Sequence, residues 1–218
     1  MKESTSKEKV LKKVRNALIY SSPNPYSEID FEKPIYVSNN NEPPDVTFAQ
    51  RFVEAGGRFV YCEDITRFLD NISILINQNK WESIFCADDN IKRLLTAKGI
   101  YFYDIEDKFR EMNMGITGCE FLISRLGSIM VSSRQQSGRR LNFFPPVHIV
   151  VAYTSQMVGD LKEALNKIKE KYGTRLPSLI SVITGPSRTA DIEKTLVMGA
   201  HGPKELYIFL IDDTFQLK

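Results

Sequence analysis

The sequence has few of the residues that build metal clusters or disulfide scaffolds. Three cysteines occur in 218 residues, Cys62, Cys86 and Cys119, and no two stand at CxxC spacing. This argues against a self-contained iron–sulfur or structural zinc site and fits a reducing compartment. Cys62 and Cys86 end apolar runs, which suits buried core thiols better than reactive ones. Charge of one sign is also missing. The 29 basic and 27 acidic residues leave a formal charge of +2, so bulk electrostatics give no reason to expect a nucleic-acid partner. No apolar run approaches the roughly 20 residues that span a bilayer. The first residues are polar, without the apolar core of a signal peptide. A cytoplasmic protein without membrane insertion is the expectation. The P-loop, GxGxxG, HExxH and GxSxG patterns are absent as well, so no dinucleotide fingerprint, metal site or cofactor of its own is proposed.

What is present reads as an ordinary globular chain, 42% hydrophobic and 26% charged, long enough for one sizeable α/β domain plus a short appendage. Residues 4–20 read as a helix, because Val10, Leu11, Val14, Leu18 and Ile19 recur at helical spacing between lysines. A Ser-Ser-Pro-Asn-Pro stretch and Pro34 follow, giving a linker or extended arm. The expected organisation is therefore an N-terminal helix and proline-containing arm over 1–33 and an α/β domain over 34–218. The helix must lay its stripe on its own domain or on a partner subunit, a second copy included.

Beyond the arm, helix and strand alternate at short intervals. Helices are expected over 45–55, closed by Gly56-Gly57, over 65–77, and over 88–97 with an aspartate cap. Strands are expected over 58–62, 83–86 and 100–103. This alternation predicts an α/β fold with a mostly parallel open sheet flanked by helices. In the second half, Gly127 marks the turn of a hairpin between two β-rich runs. Residues 147–153 form a central strand in which His148 is the polar exception. A helix over 158–172 ends at Gly173, a strand covers 178–183, a helix covers 189–197, and the last strand covers 206–211.

The strongest local signal is Thr184-Gly185-Pro186-Ser187-Arg188-Thr189-Ala190-Asp191-Ile192-Glu193. A strand ends, a Gly-Pro turn follows and a helix is expected to start. Free amides of that helix, the Ser187 and Thr189 hydroxyls and the Arg188 fork together suit an anion. The same residues also suit plain capping, with Thr189 as cap and Asp191 and Glu193 in the first turn. His201 and Gly202 lie in a second loop, Gly199-Ala200-His201-Gly202-Pro203, where an imidazole either reaches a ligand or stays exposed and idle. His148 is read as a core histidine or a functional one. A third segment, Ser124-Arg125-Leu126-Gly127-Ser128, is followed by a stretch from Ser132 to Arg140 that holds Arg134, Gln135, Gln136 and Arg139. This stretch is a polar loop that either closes over an anion or stays solvated.

Taken in order, these segments resemble the LUD domain of lactate-utilization C-type proteins. The resemblance rests on Ile116-Thr117-Gly118 and the following hairpin, on Pro145-Pro146-Val147-His148, on the string from Thr184 to Glu193, and on the loop from Gly199 to Pro203. It covers roughly residues 43–212. It implies the NagB/RpiA/CoA-transferase-like fold, that of ribose-5-phosphate isomerases and CoA transferases. It also implies an accessory role beside two iron–sulfur partner proteins in oxidising L-lactate to pyruvate. The alternative is a stand-alone enzyme or sensor for a small phosphorylated or carboxylated metabolite. Whether the chain is an enzyme stays open, and catalytic residues are not transferred. The ligand-binding candidates are Gly127, Ser128, Arg139, Thr184, Gly185, Pro186, Ser187, Arg188, Thr189, Asp191, Glu193, His201 and Gly202. One departure stands out. The family usually carries a Glu-Thr-Gly-Thr-like stretch at the hairpin, and here Arg125 replaces the acidic residue.

Overall fold

The computed structural model describes residues 5–19, 42–104, 111–190, 196–199 and 201–214. The chain divides into two compact units, Met1–Asn41 and Glu42–Lys218. In the first, helix α1 (Ser6–Ile19) starts at a reciprocal cap. Thr5 Oγ1 accepts from the Glu8 amide at 3.3 Å, and Glu8 Oε2 accepts from the Thr5 amide at 2.9 Å.

The second unit is built on five parallel strands: β1 (Arg58–Cys62), β2 (Ile84–Cys86), β3 (Met114–Thr117), β6 (Val147–Tyr153) and β11 (Glu205–Ile211). Their order across the sheet is β1-β11-β6-β3-β2. Side chains alternate between the two faces. Ile149 and Val151 point into a core shared with Phe68 and Ile72 of α3 (Ile65–Asn79) and Ile91 and Leu95 of α4 (Asp89–Ala97). Val150 and Ala152 point the other way, onto Phe48 and Phe52 of α2 (Pro44–Glu54) and onto a second sheet.

That second sheet has the order β7-β4-β5-β8, from β7 (Met157–Val158), β4 (Phe121–Ile123), β5 (Ser128–Ser132) and β8 (Ile180–Ile183). Its pairings are antiparallel except β4 with β7. Leu122, Ile129 and Val131 face the parallel sheet, while Ile123 and Met130 face Ala164 and Ile168 of α5 (Leu161–Tyr172). The helices expected over 45–55, 65–77 and 88–97 and the mostly parallel sheet are present, with aspartates 64, 88 and 160 capping α3, α4 and α5.

Several expectations need correction. Of the helix expected over 189–197, residues 191–195 lie outside the described residues, and the described ends of that stretch are not helical. Instead β9 (Arg188–Ala190) pairs antiparallel with β10 (Leu196–Met198), Leu196 opposite Ala190 and Met198 opposite Arg188. Thr189 pairs opposite Val197 in the register of this ribbon. The 178–183 strand belongs to the second sheet and not to the parallel one. Of the 100–103 strand only a parallel bridge, Tyr103 to Phe85, is formed. The helix expected from residue 158 starts at Leu161, because Met157 and Val158 extend beside β4 and Asp160 caps the helix.

His148 is a core histidine. It is fully buried, its Nε2 and Thr117 Oγ1 share a hydrogen bond of 2.8 Å, and its Nδ1 has no hydrogen-bond partner among the described residues. Burial lowers its pKa from 6.5 to about 3, so the imidazole is neutral in the folded protein. The unfolded chain then binds the extra proton as pH drops below 6.5, and stability falls with it. Between pH 7 and pH 5 this residue should remove about 2 kcal/mol of unfolding free energy. Urea unfolding at both pH values, compared with His148→Gln, checks it, and an unchanged pH difference in the variant refutes the assignment.

Candidate functional site

Two regions of the second unit concentrate polar groups, at opposite ends of the parallel strands. The first gathers the sequence candidates. Gly185 turns the chain after β8 with φ +76°, and a β-carbon there would stand 2.3 Å from the Ala55 carbonyl oxygen at the end of α2. Pro186 packs beside Gly56. Arg188 Nη2 donates to the Ala55 carbonyl at 2.9 Å, closing the C-terminus of α2 where a cation is favoured. The Ser187 amide donates to the Pro203 carbonyl at 2.8 Å, and the Gly199 amide to the Ser187 carbonyl at 3.1 Å. Gly202 lets Ser187 approach, since a β-carbon on it would meet the serine side chain at 3.1 Å. Ser128 and Thr184 share a hydroxyl–hydroxyl bond of 2.7 Å.

Gly127, Ser128, Thr184, Gly185, Pro186, Ser187, Arg188 and Gly202 are thus brought together. His201 is exposed next to them in sequence. The backbone of Thr189 is in β9, and Asp191 and Glu193 lie outside the described residues. Arg139 is elsewhere, donating to Ser178 Oγ at 2.8 Å and bordering a cavity beside Phe85 and Tyr103. The cluster lies at the amino ends of β6 and β11, where Lys204 and Glu205 amides meet the Pro146 carbonyl. The expected helix amides are not there, because Arg188 and Thr189 are in a strand.

Gly127 has a packing duty in this cluster. Its φ is +58°, and a β-carbon would fall 2.4 Å from the Phe52 amide nitrogen and 2.5 Å from the Arg51 carbonyl carbon of α2. The Arg125 amide, in the 3-10 turn Ser124–Leu126 just before it, donates to the Gly159 carbonyl at 3.2 Å.

The second region is a crevice of about 380 Å³ at the carboxyl ends of β2, β3 and β6. Topology explains why it opens there. The chain leaves β2 into α4 on one face of the sheet. It leaves adjacent β3 into β4 on the other face. Neighbouring strands whose exits diverge to opposite faces leave a gap between their ends, and open α/β sheets hold ligands in such gaps. Asp88 follows β2, Gly118 follows β3, and Tyr153 ends β6. Arg134, Gln135 and Gln136 of the loop after β5 form one wall, so this polar loop does border a crevice. Gln136 is locked to the start of α4 by two bonds with Asp89, at 2.8 and 2.7 Å.

Glu120 anchors the far wall. Its carboxylate is buried and accepts from Ser132 Oγ at 2.5 Å, Tyr172 hydroxyl at 2.7 Å and Lys171 Nζ at 2.8 Å. Burial alone would raise its pKa, but Lys171, Ser132 and Tyr172 outweigh it and the net direction is down. It is a buried carboxylate tying the β4–β5 hairpin to α5. The sequence reading did not single out Glu120 or Tyr153, and it read Asp88 only as a cap. The local signal for the crevice was Gly118, directly after an apolar strand.

The cysteines do not form a metal donor set. All three are buried, and burial raises their thiol pKa values, that of Cys86 to about 12. Among the described residues no three His, Cys, Asp or Glu side chains come together as metal ligands. Among them, too, no helix is long and apolar enough to cross a membrane.

Two substitutions test the first cluster. Gly127→Ala should lose about 3 kcal/mol, from left-handed strain plus overpacking against α2. Arg188→Ala should lose about 1 kcal/mol through the α2 carbonyl it caps. Chemical denaturation measures both, and wild-type stability in Gly127→Ala would show that the turn is not held against α2.

The sequence model of the LUD domain matches residues 48–211. Lactate utilization protein C of Geobacillus thermodenitrificans is 38% identical over 109 residues, covering 49% of this chain and 45% of that one. Lactate utilization protein C of Bacillus subtilis is 34% identical over 108 residues, again 49% and 45%. A Neisseria meningitidis protein named as uncharacterized is 35% identical over 127 residues, 57% of this chain and 53% of that one. In these three alignments the chain spans about half the length of the curated relatives it matches. The crystal structure of a DUF162 family protein from Deinococcus radiodurans superposes with a TM-score of 0.57 at 18% identity, over 77% of this chain and 96% of that one. That likeness concerns the fold.

Proposed function

Because this chain belongs to the LUD domain family, we propose that it is a cytoplasmic component of a lactate utilization system, and within it an accessory subunit beside iron–sulfur proteins that oxidise L-lactate to pyruvate. The observation that carries this reading is the similarity to lactate utilization protein C chains within the matched domain. The donor set supports the division of labour. Cys62, Cys86 and Cys119 join no group of three or more possible metal ligands among the described residues, and a cluster needs several cysteine thiolates converging on it. In this reading the electron carriers sit on partners, and this subunit contributes binding or assembly.

Deleting the gene should abolish or strongly slow growth of the parent organism on L-lactate as sole carbon source, while growth on pyruvate stays normal. A tagged full chain should co-purify iron–sulfur proteins from lactate-grown cells. Normal growth on L-lactate together with no recovered iron–sulfur protein defeats the proposal.

A further inference from the structure

The crevice at the carboxyl ends of β2, β3 and β6 has a floor of half-used polar side chains. Asp88 engages only Oδ1 in capping α4, accepting from the Asn90 and Ile91 amides at 3.0 and 3.2 Å. Its Oδ2 faces Gly118, 3.4 Å from where a β-carbon would stand. Gln135 engages Oε1 with the Ser132 amide at 2.9 Å, and its Nε2 lies 4.0 Å from the same point. Tyr153 borders the crevice at the end of β6. Burial, then Asp88 and Asp213, raise its phenol pKa, so the hydroxyl keeps its proton. Asp88 Oδ2 and Gln135 Nε2 have no hydrogen-bond partner among the described residues. Gly118 places no side chain among them.

These groups define a ligand. One carboxylate oxygen accepts a hydrogen bond from a guest, while an amide and a phenol donate to one. A hydroxyl next to a carboxylate presents that complement. The walls carry two anions, Asp88 and Glu120, and two cations, Arg134 and Lys171. A monoanion therefore meets no net repulsion, and a polyanion gains no net attraction. A volume of about 380 Å³ suits a small guest.

We propose that this crevice is a binding site for a short 2-hydroxy acid, whose hydroxyl donates to Asp88 Oδ2 and whose carboxylate accepts from Gln135 Nε2 and the Tyr153 hydroxyl over Gly118. The assignment draws on the lactate reading only for the choice of first probe.

Calorimetric or NMR titration of the full chain with L-lactate tests it, with propionate as the probe lacking the hydroxyl. L-lactate should bind with a Kd of about 1 mM or tighter, and propionate about tenfold more weakly or worse. Asp88→Asn retains the capping oxygen, and Gln135→Glu retains the oxygen that accepts from Ser132. Each should weaken L-lactate binding about ten- to a hundredfold with the melting temperature little changed. Gly118→Ala adds a methyl at ordinary contact distance from Asp88 and should weaken binding in the same way. The site assignment is overturned by absence of L-lactate binding at about 20 mM, by equal affinity for propionate, or by wild-type affinity in all three variants. A chain that supports growth on L-lactate yet binds no hydroxy acid overturns this site alone. Binding by a chain whose deletion leaves growth and partners unchanged overturns the subunit reading alone.

Discussion

Strand β6 sends alternating apolar side chains into two cores, and the layers this creates fix where every functional loop can stand. Ile149 and Val151 hold α3 and α4 on one face, and Val150 and Ala152 hold α2 and the second sheet on the other. A parallel strand buried on both sides tolerates polar groups only when they are neutral or paired. His148 meets that condition by losing its proton and bonding Thr117. Because both faces are covered, the polar crevice opens at the strand ends, where the chain passes from one layer to another.

Much of this was legible in the sequence, for local reasons. The helices α2 to α5 announce themselves by apolar spacing and by punctuation: the aspartate cap at 88, and glycines at 56, 57 and 173. Strands β1, β6 and β11 are apolar runs of the right length. What failed was information that lives in distant pairings. Thr189 followed by acidic residues satisfies the rules for a helix start, yet Leu196 and Val197 pair back onto Ala190 and Thr189. Likewise, residues 180–183 read as a strand, but which sheet receives it depends on its register with β5, more than 45 residues earlier in the chain.

The same limit explains which parts of the candidate sites could be seen. Residues 184–188, Gly127, Ser128 and Gly202 were among the residues singled out as candidates, and they lie together. Their position at the amino ends of β6 and β11 was not legible, because that depends on β8 leaving the parallel sheet. Asp88 was visible only as a cap, since capping is a local pattern. Its second oxygen matters only because β3, 26 residues onward, lies beside β2 and brings Gly118 against it. Glu120 has no local signature at all. Its partners Ser132, Lys171 and Tyr172 come from β5 and α5.

How fully the polar groups are used separates the two clusters. Around Gly185, Arg188 closes α2, the Ser187 amide binds Pro203, and the Ser128 and Thr184 hydroxyls satisfy each other. Such a junction holds layers together, and removing a member should be read first in stability. In the carboxyl-end crevice, Asp88 and Gln135 each use one atom to fix their own position and leave the other directed at the same glycine. A side chain anchored by one end keeps its free end oriented without help from a ligand, which reduces the ordering cost of binding. That arrangement, more than the number of polar residues, makes the crevice the better place for a guest.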